Sequence, residues 1–259
     1  MGAGNHRIAS EVAGVFCFIK KTKGEKMIFL FDLDGTLLPM DNDAFTKGYF
    51  NLLAKKLAPL GYDAQELVDA VWAGTAAMVR NDGTRSNEEA FWERFEQIYG
   101  ARARADRPVF EEFYRNEFQG AQSLSSCDPR AAKAVRMAKE NGHRVVLATN
   151  PLFPAVATES RIRWAGLEPE NFELYTTYEN IGYCKPNPDY YRELVRLLGV
   201  EPSACVMVGN DVDEDMVAET LGMRVFLLTD HLINREEQDI SRYPHGGFDE
   251  LLTYIEKVS

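Results

Sequence analysis

The chain has 259 residues, enough for one sizeable core with an insert or for a domain and a half. Its 45% hydrophobic and 27% charged content is ordinary for a soluble globular protein, and a formal charge of −11 without any basic stripe argues against a nucleic-acid partner, which clustered Lys and Arg would have to hold. The four cysteines, Cys17, Cys127, Cys184 and Cys205, lack both metal-site spacing and the density of a secreted disulfide scaffold, so a reducing, cytoplasmic setting is expected.

Residues 12–19 are apolar, but the run is too short to span a membrane and no small-residue cleavage site follows it, so no membrane partner is expected. Residues 1–26 read either as an upstream extension without a catalytic part or as a short docked helix. The run Met27-Ile28-Phe29-Leu30-Phe31 then reads as a strand buried on both faces, as in a parallel sheet. It leads into Asp32-Leu33-Asp34-Gly35-Thr36, which places two carboxylates at the strand's end, where open parallel sheets carry their chemistry. Gly35 lets the chain turn there. A purely structural use of the same residues would be a helix cap and turn.

From residue 41 to residue 125 the pattern is helical. Phe45, Tyr49, Phe50, Leu53 and Leu57 recur at helical spacing; Asp63 with Glu66 starts a second helix carrying Leu67, Val71, Ala76 and Val79. Ser86 and Glu89 form a capping-box pair ahead of Phe91, Phe95 and Ile98, and a fourth stretch carries Val109, Phe110, Phe113, Tyr114 and Phe118. Four amphipathic segments can make a small bundle, with the aromatic stripes as its core. Lys47, Arg80 and Arg85 read as solvated helix faces.

From Asp128 helices and strands alternate. Asp128-Pro129 starts a helix that Gly142 closes, and Val145 to Ala148 is a strand ending at Thr149-Asn150. A helix runs to about Gly166, a strand covers Phe172 to Thr177, and Asn187-Pro188 starts a helix that ends at Gly199. Cys205 to Val208 is a strand ending at Gly209-Asn210-Asp211; a helix to Gly222 and a strand from Val225 to Leu228 follow. The fold class is therefore α/β, a doubly wound parallel sheet with an inserted helical block.

Three strands end in polar residues: Asp32 with Asp34, Thr149 with Asn150, and Asn210 with Asp211. Lys185, in Tyr183-Cys184-Lys185-Pro186, falls between the second and third. Over roughly residues 27–230 this order resembles the haloacid dehalogenase-like superfamily, whose motifs run Asp-x-Asp, Ser or Thr, Lys, then an acidic cluster. The resemblance implies a Rossmann-like core of residues 27–40 and 126–259 and a helical cap of residues 41–125. It implies a magnesium-dependent phosphatase that hydrolyses a small organic phosphate monoester, a small phosphorylated metabolite, through an aspartyl-phosphate.

In that reading Asp32 is the nucleophile, already ionised at a reference pKa of about 3.9. Asp34 protonates the leaving oxygen and then deprotonates water. Thr149, Asn150 and Gly35 hold the phosphate, and Lys185 adds positive charge beside it. Several carboxylates facing a phosphate need a cation, since two like charges 4 Å apart cost about 4 kcal/mol at an effective dielectric near 20. Magnesium suits such oxygen donors, and the resemblance implies ligation by the Asp32 side chain, the Asp34 carbonyl and an acid of the fourth motif.

That fourth motif departs from the usual Gly-Asp-Ser: it reads Gly209-Asn210-Asp211-Val212-Asp213-Glu214-Asp215. Asp211 is taken as the metal ligand, with Asp215 as the alternative. Asn210 and Asp215 act in support, and Asp213 and Glu214 are solvated. A phosphomutase of the beta-phosphoglucomutase type, which uses the same four motifs, and a catalytically weakened phosphometabolite-binding protein stand as alternatives.

Overall fold

A computed structural model describes residues 26–258. The reading of residues 1–25, including Cys17 and the 12–19 run, lies outside the described residues. Five parallel strands form one sheet in the order β2-β1-β3-β4-β5. They are β1 (Ile28–Phe31), β2 (Arg144–Leu147), β3 (Cys205–Gly209), β4 (Arg224–Leu228) and β5 (His245–Gly246). The register pairs Phe31 with Leu147 on one side and with Val208 on the other. The C-terminal ends of β1, β2 and β3 therefore lie level along one edge, and the strand order reverses between β1 and β3, the place where such sheets bind ligands.

Both faces of the sheet are covered, which is why its strands are apolar throughout. Phe29 and Phe31 pack with α5 (Pro129–Glu140) and α8 (Phe248–Val258) through residues such as Ala134, Val135, Phe248 and Leu251. The alternate residues Ile28 and Leu30 pack with Tyr190, Tyr191 and Leu194 of α7 (Pro188–Leu198). β5 and α8 have no expectation from the sequence above, although Phe248, Leu251, Leu252 and Ile255 mark one helix face.

The helical block consists of α1 (Asn42–Leu57), α2 (Ala64–Val79), α3 (Asn87–Tyr99) and α4 (Ala101–Arg115), followed by 3-10 turns over Glu117–Leu124. The first three helices start at side-chain caps: Asp41 accepts from Ala44 N, Asp63 from Gln65 N and Glu66 N, and Ser86 with Glu89 closes a capping box. The chain enters and leaves the block side by side, Met40 bridging Ser125. Its aromatic core is continuous with the sheet's. Tyr49 and Phe118 pack on Phe153, and Phe118 stacks on Trp164 of α6 (Ala155–Trp164) with ring centroids 5.2 Å apart.

Two expected elements take other forms. Residues 172–177 run beside β2, with Glu173 N bonded to Val145 O and Thr176 N to Leu147 O, but only Tyr175 closes a bridge. Thr177 N turns away to the Asn180 side chain, which takes the chain out of the sheet. The helix expected up to Gly222 is a short 3-10 segment, Met216–Leu221. Asp211 Oδ1 caps one turn before it, accepting from Asp213 N and Glu214 N while Asp215 N bonds Asp211 O, and the chain then tightens to three-residue bonding, with Ala218 N on Asp215 O.

Candidate active site

The sheet edge brings Asp32, Asp34, Thr149, Asn150, Asn210, Asp211 and Asp215 to the lining of one cavity of about 430 Å3. Lys185 lies behind it, its side chain fully buried, and its ammonium donates to Asp32 Oδ1 at 2.9 Å and to Asp215 Oδ1 at 2.7 Å. Burial alone would lower the lysine's pKa, but the Asp215 and Asp32 carboxylates outweigh it and hold the group well above its ordinary value, so it stays charged. Lys185 engages one Asp32 oxygen only. The other, Oδ2, accepts no hydrogen bond from a described residue.

Asp34 is held by a residue that the sequence reading missed. Arg161, on α6 and fully buried, donates through Nη1 to Asp34 Oδ2. The guanidinium is fixed from behind by Ala157 O and Thr158 Oγ1 and lies 4.4 Å from the centre of the Phe153 ring. Asp34 Oδ1 is buried without a partner. Burial raises the Asp34 pKa, Arg161 pulls it down, and the neighbouring Asp32 carboxylate adds a smaller upward push. The proton that Asp34 would need as an acid is thus favoured first by desolvation rather than by adjacent carboxylates.

Gly35 sits at φ +82°, where a Cβ would meet the Asn210 amide at 2.4 Å. Its N–H is spent on Leu38 O, so what Gly35 contributes here is the turn and the close approach of Asn210. Asn210 is a fastening: its Oδ1 accepts from Thr36 Oγ1 at 2.9 Å and its Nδ2 donates to His231 O at 2.6 Å. Thr149 is buried at the end of β2, its carbonyl accepting from Thr176 Oγ1 and the Tyr190 hydroxyl. Asn150 donates to Glu214 Oε2 at 3.1 Å and keeps a buried, unpartnered Oδ1.

Asp211 and Asp215 have different tasks. Asp211 Oδ1 ties the loop as described, and Oδ2 pairs with Arg235 at 3.0 Å. Arg235 is 64% exposed and comes from a segment with no sequence signal for this role. Asp215 is closed off: Oδ1 takes Lys185 and Oδ2 takes Asp211 N, an approach possible because Gly209 has no Cβ, which would lie 2.0 Å from Asp215 Oδ2. Glu214 is not a freely solvated charge. It lines the cavity, bonds Asn150, and is pushed up to about 7, chiefly by burial, with Lys185 opposing and Asp215 adding to the shift.

Among the described residues no three carboxylate, imidazole or thiol side chains converge on one point. The magnesium set implied above needs only two carboxylates and a main-chain carbonyl, and the donors fit it. All are hard oxygens: Asp32 Oδ1 carries only the Lys185 ammonium and has a lone pair to spare, which leaves Oδ2 for chemistry, and Asp211 Oδ2 is held only by an exposed arginine. Asp215 has no oxygen left for such a role.

The helical block docks on the lysine loop through Asn87, another residue that sequence reasoning passed over. Fully buried, its Nδ2 reaches Pro151 O, Tyr183 O and Cys184 Sγ, each at 3.3 Å. Lys47, Arg80 and Arg85 are exposed and do not line the cavity. No helix among the described residues is long and apolar enough to cross a membrane.

Residues 26–218 match the family model described as hydrolase, haloacid dehalogenase-like hydrolase. Over 89 residues the chain is 32% identical to glyceraldehyde 3-phosphate phosphatase of Methanothermobacter thermautotrophicus; the match takes in 34% of this chain and spans 37% of that relative's length. Among solved structures, a 2-haloacid dehalogenase from Pseudomonas syringae pv. tomato superposes with a TM-score of 0.61 at 20% identity, covering 90% of this chain and 100% of the other. A HAD phosphatase from Thermococcus onnurineus does so with a TM-score of 0.54 at 17% identity, covering 90% and 97%. At such identities these two likenesses speak for the fold alone.

Proposed function

Because the chain belongs to the haloacid dehalogenase-like hydrolases, we propose that it is a magnesium-dependent phosphatase acting on a small organic phosphate monoester through an aspartyl-phosphate on Asp32. The observation that carries this reading is the pairing of Asp32 with Lys185, which leaves Oδ2 free, beside a second carboxylate, Asp34. A dehalogenase needs the first group but has no leaving oxygen to protonate, so it would leave Asp34 without a task. The phosphatase-named relative supports the same choice.

Phosphoryl transfer asks a protein chiefly for positioning and charge stabilisation. Asp32 Oδ2 attacks phosphorus as the bond to the leaving alcohol oxygen breaks, and Asp34 gives that oxygen a proton. Asp34 then takes a proton from the water that attacks the acyl phosphate, which frees Asp32 and releases phosphate. Lys185 stays charged beside the nucleophile, and Thr149 and Asn150 stand at the neighbouring strand end to orient the phosphoryl oxygens. Magnesium, held by the Asp32 side chain, the Asp34 carbonyl and Asp211, would supply the charge that lets a phosphate dianion approach these carboxylates.

Residues 41–125 act in this reading as a cap that excludes water and contacts the leaving group, a role supported by the share of the cavity wall that α1 to α4 provide. A cytoplasmic setting is part of the same reading, supported by Cys127, Cys184 and Cys205 being free thiols. The test is a panel of phosphate monoesters and 2-haloacids, with and without magnesium. Magnesium-dependent phosphate release without halide release is expected; halide release alone would overturn the reading.

A further inference from the structure

The cavity has two unlike walls. The sheet-edge wall carries the carboxylates except Asp43 of α1; the other wall comes from the helical block and is mainly aromatic, with Tyr49, Phe50, Trp72, Phe91, Trp92 and Tyr114. We infer that this wall receives an uncharged aromatic or otherwise apolar leaving alcohol, so that the substrates are phosphate esters of arylalkyl or similar apolar alcohols. This deepens the phosphatase reading and rests on it.

Charge decides against small polyanionic esters. Among the described residues, the one cationic side chain that lines the cavity is Arg235, which is exposed and already paired with Asp211. The remaining charged lining is acidic: Asp32, Asp34, Asp43, Asp211, Glu214 and Asp215. A carboxylate or second phosphate on the leaving group would face these acids with no free cation to meet it. Its desolvation would go uncompensated.

The hydroxyl groups of the aromatic wall are few and mostly engaged, with Thr46 the one that makes no side-chain hydrogen bond to a described residue. Tyr49 and Tyr114 hydrogen-bond each other at 2.9 Å, and Thr75 Oγ1 donates back to Val71 O. A sugar or glycerol moiety would therefore lose its water-made hydrogen bonds and find few replacements, a loss that apolar groups do not suffer. The buried indole Nε1 of Trp92 has no hydrogen-bond partner among the described residues either. It could serve a single acceptor on the leaving group. The volume, about 430 Å3, admits one ring beyond the phosphate and lies in the range of ordinary small-molecule pockets.

The experiment compares benzyl phosphate and 2-phenylethyl phosphate with glycerol 3-phosphate and 3-phosphoglycerate, in the full chain with magnesium. Benzylphosphonate binding, read by tryptophan fluorescence, runs in parallel. The arylalkyl esters are expected to exceed the polar esters in kcat/KM by about 100-fold, the discrimination an apolar pocket can reach. Trp72→Ala, at a side chain half exposed and so tolerant of truncation, should narrow that ratio by about tenfold, and Thr75→Lys should shift preference toward 3-phosphoglycerate. Equal or better turnover of glycerol 3-phosphate and 3-phosphoglycerate would overturn the substrate class and leave the phosphatase reading standing. Saturable benzylphosphonate binding, weakened in both variants, with no phosphate released from any ester, would support the pocket's chemistry and remove the phosphatase reading instead.

Discussion

Arg161 holds Asp34 from inside the protein: a fully buried guanidinium on α6 grips a carboxylate 127 positions earlier in the chain, at the end of β1. The pair fixes where the acid of the proposed reaction points. Arg161→Gln should therefore lower kcat by about 10- to 100-fold on alkyl phosphates, part of the usual worth of a placed general acid. The loss should be much smaller on p-nitrophenyl phosphate, whose leaving group needs no proton. Steady-state kinetics on both esters check this, and equal losses would assign Arg161 to the fold alone.

Asp215 is the second partner of a lysine that has no contact with water, and its other oxygen closes the turn at Asp211. Asp215→Ala should cost about 3–5 kcal/mol in chemical denaturation, because the buried Lys185 charge is left with Asp32 alone to offset it and the Asp211 N–H loses its acceptor. Asp211→Ala, whose carboxylate faces an exposed arginine, should cost much less.

Magnesium affinity separates the same two acids from the other side. In calorimetric titration of the metal, Asp211→Ala should weaken binding by at least about tenfold, since an anionic oxygen ligand is lost. Arg235→Gln should tighten it by about two- to fivefold, the worth of an exposed ion pair that the metal must displace. Unchanged affinity in Asp211→Ala would remove it from the ligand set.

The cysteines differ enough to be told apart by reagent. Burial pushes the Cys184 thiol up to about 12 and the Cys205 thiol up to about 11, whereas Cys127 is exposed. Only a thiolate reacts, so N-ethylmaleimide at about pH 8 should label Cys127 and spare Cys184 and Cys205 until the chain is unfolded. Peptide mass mapping reads the order.

The sequence was legible wherever a local signal controls the outcome. Apolar runs before Asp32, Thr149 and Asn210 gave three strands and one shared edge, because buried parallel strands have little choice of composition. Asp63, Ser86 with Glu89, Asp128 and Asn187 marked helix starts through caps that act within four residues. Nothing local marks Arg161, Asn87 or Arg235. Each acquires its role from a partner far along the chain, at Asp34, Tyr183 and Asp211, and an arginine in a helix reads as solvated until the fold buries it. Glu214 was misread for the same reason, since a carboxylate in an acidic run gives no sign of the Asn150 amide waiting for it.

The direct test of the account is to find the phosphoryl group. An acid-quenched turnover of a phosphate ester, followed by peptide mass mapping, should show one phosphoryl group on the peptide that carries Asp32, removable by hydroxylamine. Asp32→Asn should show neither that adduct nor steady-state phosphate release. Phosphate release at the unsubstituted rate by Asp32→Asn, with no phosphorylated peptide in either protein, would contradict it.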